Sequence, residues 1–543
     1  MKKWVKYLSC SAVATSVAVT LAACSSNSNS SSSANYKKTL NWMTTAETQT
    51  LDPSKYVDVY SGEQVANVFE GLNRLNNKNQ VVPGVATSTT ESKDGLTWTF
   101  KLRKNAKWSN GDPVTAQDFV YSMRRTLDPK TKSQQENDFG SVVNADAVMQ
   151  GKKSPSSLGV EAKDKYTVVV HLTHKVPYFK TLTATGWKPQ NEKAVNKYGK
   201  KYGTASEYMV YNGPFVSTGW TGTNLTWKLK KNNQYWDKKA VKLNVVNFSV
   251  QKTPSTDYNL YQSGKLDGAY LDPQAAKELK NHSDYRVFKE DGTEYLTYNV
   301  SKNKDLANVN LRRAVSVALN RKSLASTVGA ANTVATTFTG PQETVGNTNF
   351  NKYANKHLNN QYVTYNPAKA KQLFNTALKQ LHKSKVNFTL MGDDDDLSKR
   401  ATEYVQSQLE STFGKKLTVN VRNLPKTSRV SNILSGKYDV AYTGLSSGYN
   451  DPNAMLSAMT TDKSYNFGKW SNKKYDQYVN ASNDDTNNSQ RLNDFLKATQ
   501  IMNDEQPLTP LYYLGEAWMV KNSVHNLGHT SGSFTFRNTY VTK

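Results

Sequence analysis

Residues 386–452 constrain the fold more tightly than any other stretch of the chain. Val386–Met391 reads as a strand and Leu397–Phe413 as a helix, capped by Asp396 and closed by Gly414. Leu417–Val421 alternates as a second strand, and Lys426–Ser435 reads as a helix closed by Gly436. Tyr438–Thr443 follows as a third strand, with Tyr438, Val440 and Tyr442 alternating with Asp439 and Ala441. Strand, helix, strand, helix, strand requires parallel strands joined by right-handed crossovers. In open α/β sheets, ligands sit beyond the carboxyl ends of such strands. The third strand breaks there, first at Gly444 and again at Gly448-Tyr-Asn-Asp-Pro452. Glycines at a strand's exit let another backbone come close, because no Cβ blocks the approach. Gly444–Gly448 is therefore expected to form one wall of a ligand cleft. Tyr442 and Tyr449 flank the glycine exit and are the first candidates to line side-chain pockets.

One sheet does not account for the whole chain. At 543 residues the sequence exceeds a single core, so two or three domains are expected. An apolar fraction of 37%, with 31 tyrosines, is enough to fill several. Before Thr39 the sequence has a different character. Lys2, Lys3 and Lys6 form a basic segment, and Tyr7–Thr20 is apolar and small but too short and too polar for a strong membrane span. Leu21-Ala22-Ala23-Cys24 then resembles the processing site of bacterial lipoproteins. On that resemblance residues 1–23 are a signal peptide, and Cys24 is the mature N-terminus and the point of lipid attachment. An ordinary signal peptide cut nearby is the alternative.

Cys10 would leave with the leader, and Cys24 would be modified. No thiol then remains for a metal site, a disulfide or catalysis. Residues 24–35 continue as a tether: Ser25–Asn35 is seven Ser, three Asn and one Ala, too polar to form a core. Eleven such residues reach about 17–20 Å on average. The formal charge is +26, and +23 once the three leader lysines are removed. The lysines are scattered, without a long Lys/Arg block, so they read as a solvated basic surface and not as a nucleic-acid interface.

From Tyr36 onward the signals are mixed α/β. Thr39–Met43, Leu96–Leu102 and Lys165–Leu172 read as strands, and Tyr56–Tyr60 as an extended segment. Gly62–Leu72 reads as a short helix. Thr115–Leu127 reads as a helix with Thr115 at its N-cap, Asp118 at the positive end, and Phe119, Met123 and Leu127 on one face.

Within this region Trp98-Thr-Phe-Lys-Leu and Trp108-Ser-Asn-Gly-Asp-Pro-Val-Thr-Ala-Gln-Asp118-Phe resemble a family signature. The family is that of the bacterial extracellular solute-binding proteins of the oligopeptide-binding type, the receptors of peptide ABC importers. Further blocks agree: Val68-Phe-Glu-Gly-Leu72, Tyr211-Asn-Gly-Pro-Phe215, Asn233-Gln-Tyr-Trp-Asp237, Leu311-Arg-Arg-Ala314, Tyr365-Asn-Pro367 and Tyr449-Asn-Asp-Pro452. The resemblance spans essentially all of residues 36–543.

The resemblance implies a two-lobed α/β fold of the periplasmic-binding-protein type, with three domains and a hinged cleft. Domain I would comprise residues 36–69, 197–298 and 512–543, domain II residues 70–196, and domain III residues 299–511. It implies an oligopeptide held as an extended strand by backbone hydrogen bonds. The ligand main chain would lie against Asp58-Val59-Tyr60 and Gly444-Leu445-Ser446. The partners would be an ABC permease and its ATPase, with the membrane reached through the lipid. A monomer is expected, with no catalysis, cofactor or metal. The chain lacks a phosphate-binding loop of the Gly-x-x-x-x-Gly-Lys-Ser/Thr type, so it is not the ATPase itself.

One departure bears on the ligand. The family usually places an Asp before the Tyr-Asn-Asp/Glu-Pro block, to pair with the ligand's α-ammonium; here that position is Gly448. A family Tyr that assists falls near Gln135, and family arginines on this wall fall at Ile433 and Tyr442. Asp58 is the expected replacement for the lost carboxylate, with Glu136 second. Otherwise the ligand would lack a free terminus there, as a modified or signalling peptide can. A cell-surface adhesin using the basic surface is the alternative from another class.

Three patterns suggest other chemistry. Gly444-Leu-Ser446-Ser-Gly448 matches the Gly-x-Ser-x-Gly elbow, with His525 and His529 downstream, but Gly448–Pro452 prevents the helix that an elbow requires. His171 and His174 lie three apart at a strand end and so point to opposite faces. Asp393–Asp396 lacks the alternation, glycine turn and distal Glu of a calcium loop. Tyr56, Tyr60, Trp108, Tyr211, Trp220, Trp236 and Trp470 are expected mostly in cores.

Overall fold

The computed structural model describes residues 36–56, 58–133, 139–463, 465–485, 487–530 and 532–543. Cys24, Gln135 and Glu136 lie outside them. The described chain is a single compact unit, 36–543, built on three main sheets.

The first sheet has the order β1-β8-β7-β6: β1 Thr39–Thr44, β6 Phe215–Thr218, β7 Thr226–Lys231 and β8 Val245–Val250. β1 and β8 are parallel, and the other pairs are antiparallel. The second is an antiparallel sheet of β2 Ala86–Glu91, β3 Thr97–Leu102, β5 Thr167–His171 and β4 Val160–Asp164. Helix α2, Ala116–Leu127, starts where expected: the Asp118 carboxylate accepts from the Thr115 backbone N–H at 2.7 Å, closing a capping box.

The third sheet has seven strands. Its main path is β9 Gly268–Tyr270, β14 Leu508–Val520, β10 Tyr285–Tyr298, β13 Val440–Ser446, β11 Val386–Asp393 and β12 Leu417–Leu424, and Thr333–Val334 pairs with β14. β11 pairs in parallel with both β12 and β13, as the strand–helix alternation requires. Helix α3, Pro367–Leu381, precedes β11, and the intervening helices are α4, Asp396–Phe413, and α5, Lys426–Leu434. Gly414 ends α4 at φ +62°, and Gly436 follows α5 at φ +67°, positions that favour glycine. The cap of α4 is Asp395 and not Asp396, since its side chain accepts from Leu397 and Ser398 N–H at 3.0 Å.

The cores divide between two parts of the chain. One draws on residues from Leu40 to Leu266 and from Trp518 to Val541. The other large cores draw on residues between Tyr295 and Tyr512. β10 and β14, of 14 and 13 residues, run through both parts. Phe288 and Trp518 belong to the first core at one end of this pair, and Leu296 and Leu511 to the second at the other. The ladder between the two strands loses register between Lys289 and Thr293. A bulge at that point bends the ribbon where it passes from one part to the other.

Two expectations need correction. The segment Tyr56–Tyr60 is not extended along its length, because helix α1 spans Val59–Val68 and begins before the expected Gly62. Asp58 is its N-cap, with Oδ1 accepting from Ser61 N–H at 2.8 Å, so the capping bond starts the helix three residues early. Asp58, Val59 and Tyr60 therefore do not form an opposing strand. In addition, Gly444–Ser446 does not lie beyond the third strand but inside it, paired with Gly292–Glu294 of β10.

Candidate ligand-binding cleft

β13 has a partner on one edge along its full length, where β10 pairs from Val440 to Ser446. On the other edge β11 pairs only at Val440 and Ala441 and then continues with β12. Among the described residues, no strand meets that second edge from Tyr442 to Ser446. Gly444 leaves room for the Glu294 carboxylate: a Cβ at this position would lie 2.0 Å from it and would displace that side chain. The result is a strand edge with unused backbone groups at the mouth of the sheet.

Two cavities meet β13 and the loop that follows it. The larger, about 430 Å³, is lined by Tyr442–Ser446 together with Tyr270, Glu290 and Glu516. The other, about 340 Å³, lies between the two parts of the chain: Ser447 and Gly448 form one side, and Asp58, Glu70, Arg74 and Lys188 are on the other. Of the expected residues, Tyr442, Gly444, Leu445 and Ser446 thus share one cavity, and Asp58, Val59 and Gly448 share the other. Tyr60 lines neither; its hydroxyl accepts from Thr45 Oγ1 at 2.9 Å.

Tyr449 stacks on Tyr178, with centroids 4.5 Å apart and planes 12° apart. Asn453 Nδ2 donates to the Tyr178 hydroxyl at 2.9 Å. These contacts tie the loop after β13 to the first part of the chain. Asp451 holds the same loop from behind: Arg491 Nη2 donates to both of its oxygens at 2.9 Å, with both side chains buried.

The electrostatics differ between the cavities. Lys188 is buried and donates to the Ala184 carbonyl at 3.0 Å; burial pulls its ammonium down to about 8, against the opposing field of Glu70. Glu70 is held by Tyr235 Oη, Trp236 Nε1 and Arg74, and burial still raises its carboxyl. Asp58 Oδ2 is buried in the same cavity without a hydrogen-bond partner. In the larger cavity Arg429 donates to Asp393 at 2.6 and 3.0 Å and to Thr443 Oγ1 at 2.7 Å.

Beside that cavity, at the bulge of β10, Glu290, Glu516 and His529 bring ligand atoms within 4.8 Å of one another. Theirs is the one such grouping among the described residues. His529 Nε2 already meets Glu290 at 3.1 Å. Burial, helped by Glu516 and Glu290, pushes neighbouring Glu63 up to about 8.

Sequence reasoning missed Arg74, Lys188, Glu290, Glu516 and Arg429. The family's arginine positions led to Ile433, which is buried among Met391, Tyr438 and Ala441. Arg429 lies one helical turn before it on α5 and reaches the cavity instead. A check of the i−4 neighbour would have found it. Lys188 carries no pattern of its own, and only tertiary packing brings it to Gly448.

Ser446 does not belong to a nucleophile elbow. It sits within β13, His529 pairs with Glu290, and His525 stacks on Tyr540. His171 and His174 do not converge either: His171 Nδ1 lies 3.3 Å from Thr97 Oγ1 and His174 Nδ1 2.9 Å from Thr173 Oγ1.

Residues 80–467 match the model of the bacterial extracellular solute-binding proteins, family 5 Middle. The chain is 36% identical over 496 residues to a dipeptide-binding protein of Lactococcus lactis, with 88% of each chain covered. It is 31% identical over 518 residues to an oligopeptide-binding protein of Bacillus subtilis, covering 93% of each. The structure of a Listeria monocytogenes oligopeptide-binding protein bound to peptide superposes with a TM-score of 0.77 at 32% identity. That match covers 93% of this chain and 99% of the other.

Proposed function

The chain belongs to family 5 of the bacterial extracellular solute-binding proteins, and from that membership we propose that it captures oligopeptides for an ABC importer. The relatives are binding proteins and not enzymes. The observation that carries the reading is the open edge of β13 from Tyr442 to Ser446, facing a cavity. A peptide added there as a strand is held by main-chain hydrogen bonds, which every sequence can make. Gly444, Leu445 and Ser446 supply that edge, with Tyr442 beneath it. The Listeria structure, described as bound to peptide, supports a peptide as the ligand.

Asp58 takes the ligand's α-ammonium in this reading. It acts from a helix N-cap, facing Gly448 across the smaller cavity, and its Oδ2 is the acceptor still without a hydrogen bond. A buried ammonium without a counter-ion costs several kcal/mol. Asp58 thus serves where Gly448 offers no carboxylate.

Closure follows from differential contact. The Tyr178–Tyr449 stack bridges the two parts of the chain, and a ligand held by both shifts the population toward the closed form. Lipid attachment at Cys24 keeps the receptor on the outer face of the membrane, where it delivers peptide to a permease and its ATPase as a monomer. Among the described residues, no helix is long and apolar enough to cross a membrane.

Calorimetry with one peptide in free and N-acetylated forms tests the site. The expected result is one peptide per chain, with the acetylated form at least about tenfold weaker. Equal affinity removes the role of Asp58 and favours a ligand without a free terminus. No binding of either form, with strong salt-sensitive binding to acidic polymers, favours an adhesin.

A further inference from the structure

The sheet β1-β8-β7-β6 carries a lysine group that the cleft does not use. Alternation along β7 buries Trp227 and Leu229 and exposes Lys228 and Lys230. Cross-strand register places Thr218, Asn247 and Asn41 in one row with Lys228, and Val216, Val245 and Thr39 in one row with Lys230. Neither row contains a carboxylate. At the end of this sheet Lys38, Lys231, Lys238 and Lys242 come together around Lys231, which takes the core-side position of the alternation with Phe215 as its cross-strand neighbour. The Lys38 carbonyl accepts from Asn244 and Val245 N–H, and Lys231 N–H donates to the Asn244 carbonyl. Burial, with Lys242, Lys38 and Lys238 around it, lowers the Lys231 ammonium from its ordinary value.

Among the described residues none of these six lysines forms a salt bridge. Lys231, Lys238 and Lys242 donate only to main-chain carbonyls, of Val241, Asn233 and Lys239. The carboxylate in their loop, Asp237, is taken by Arg537. Asp267, beneath Asn41, is buried and paired with Lys521. Like charges gathered on an open sheet face repel one another, and an extended anionic surface relieves that repulsion.

Chain connectivity selects the surface. Lys38 is the third residue after the Ser/Asn segment that ends at Asn35, and that segment reaches about 17–20 Å from Cys24. A membrane that holds the lipid on Cys24 is therefore the anionic surface nearest the lysines. We propose that this face docks on the anionic phospholipid headgroups of the membrane that carries the anchor, and so orients the receptor on it. The inference rests on the reading of Cys24 as the lipid attachment point. The effect is electrostatic and falls off within a Debye length.

The test uses the chain from residue 24 onward with Cys24→Ser, so that no lipid contributes. Co-sedimentation is measured with vesicles of phosphatidylcholine alone and of phosphatidylcholine with 30% phosphatidylglycerol. Binding only to the anionic vesicles, weakening as salt rises, is expected. The triple variant Lys228→Gln, Lys230→Gln, Lys242→Gln should lose at least about tenfold in association. The control triple Lys280→Gln, Lys356→Gln, Lys379→Gln removes the same charge and should lose less than about twofold, with both variants melting as the parent does. Equal losses in the two triples, or equal binding to neutral vesicles, overturn the proposal. So does binding to a soluble phosphodiester polymer without binding to vesicles. Lipid incorporation at Cys24, followed separately by labelled fatty acid, tells failure of the anchor reading from failure of the docking.

Discussion

Arg491→Met is the most informative single substitution behind the cleft. Arg491 and Asp451 are 2% and 3% exposed, so the pair has almost no solvent to fall back on. Removing the guanidinium takes away its two hydrogen bonds of 2.9 Å to Asp451 and one of 2.8 Å to the Ser482 carbonyl, and leaves Asp451 with the Asn453 N–H at 3.0 Å. Burial outweighs the arginine even in the parent and already raises the Asp451 carboxyl. In the variant the carboxylate must stay buried without a cation or take up a proton. From the ordinary value of 3.8, the proton route at pH 7 costs about 4.4 kcal/mol. That figure caps the part of the loss that comes from Asp451, and the usual cost of breaking a buried pair, about 3–5 kcal/mol, falls beside it.

The sign with pH follows. The unfolded Asp451 releases its proton near 3.8, while the folded variant keeps it, so the variant loses stability as pH rises. At pH 4.5 the same route costs only about 1 kcal/mol. Denaturant unfolding at both pH values, followed by tryptophan fluorescence, reads this directly, since Trp470 belongs to the adjoining core. A loss of about 3–4 kcal/mol at pH 7 that shrinks to about 1 at pH 4.5 is expected. Adding Asp451→Asn should recover most of it. A loss below 1 kcal/mol at pH 7, or one that does not change with pH, refutes the reasoning.

Other outcomes can be checked in the same way. Glu63→Gln keeps an acceptor for the Phe534 N–H but cannot ionise. Parental Glu63 is held up to about 8 in the folded chain against 4.5 unfolded, so the parent loses stability between those pH values. The variant should gain about 2–3 kcal/mol over the parent at pH 7 and nothing at pH 4.5, measured by thermal unfolding across the range. Gly448→Asp restores the carboxylate that the family usually carries, and a Cβ there meets nothing within 4 Å. It should tighten binding of free-amino peptides about tenfold in calorimetry, with no gain for acetylated ones. At Gly213 an added Cβ would lie 2.5 Å from the Val68 carbonyl carbon, so Gly213→Ala should cost about 1–3 kcal/mol in chemical unfolding.

Much of the third sheet was legible because its strands and helices carry different periods. Val386, Phe388 and Leu390 alternate, whereas Ala401, Val405 and Leu409 recur at helical spacing, and glycines close both helices. Asp58 was misplaced because an N-cap carries strand-like dihedrals, φ −114° and ψ 154°, and so reads as extended from sequence. The fate of Gly444 was hidden for another reason. Its neighbour Glu294 lies 150 residues away, and only the antiparallel register with β10 brings the two together. The cavity charges were equally illegible. Lys188 and Glu516 carry no local motif: tertiary packing places the first, and the antiparallel pairing of β10 and β14 places the second.

Hydrogen exchange at the backbone amides of Tyr442–Ser446, with and without saturating tetrapeptide, tests the open edge most directly. Slowed exchange at the amides of this edge at one peptide per chain is the expected result. Saturated binding that leaves all of those amides exchanging as before would contradict the account.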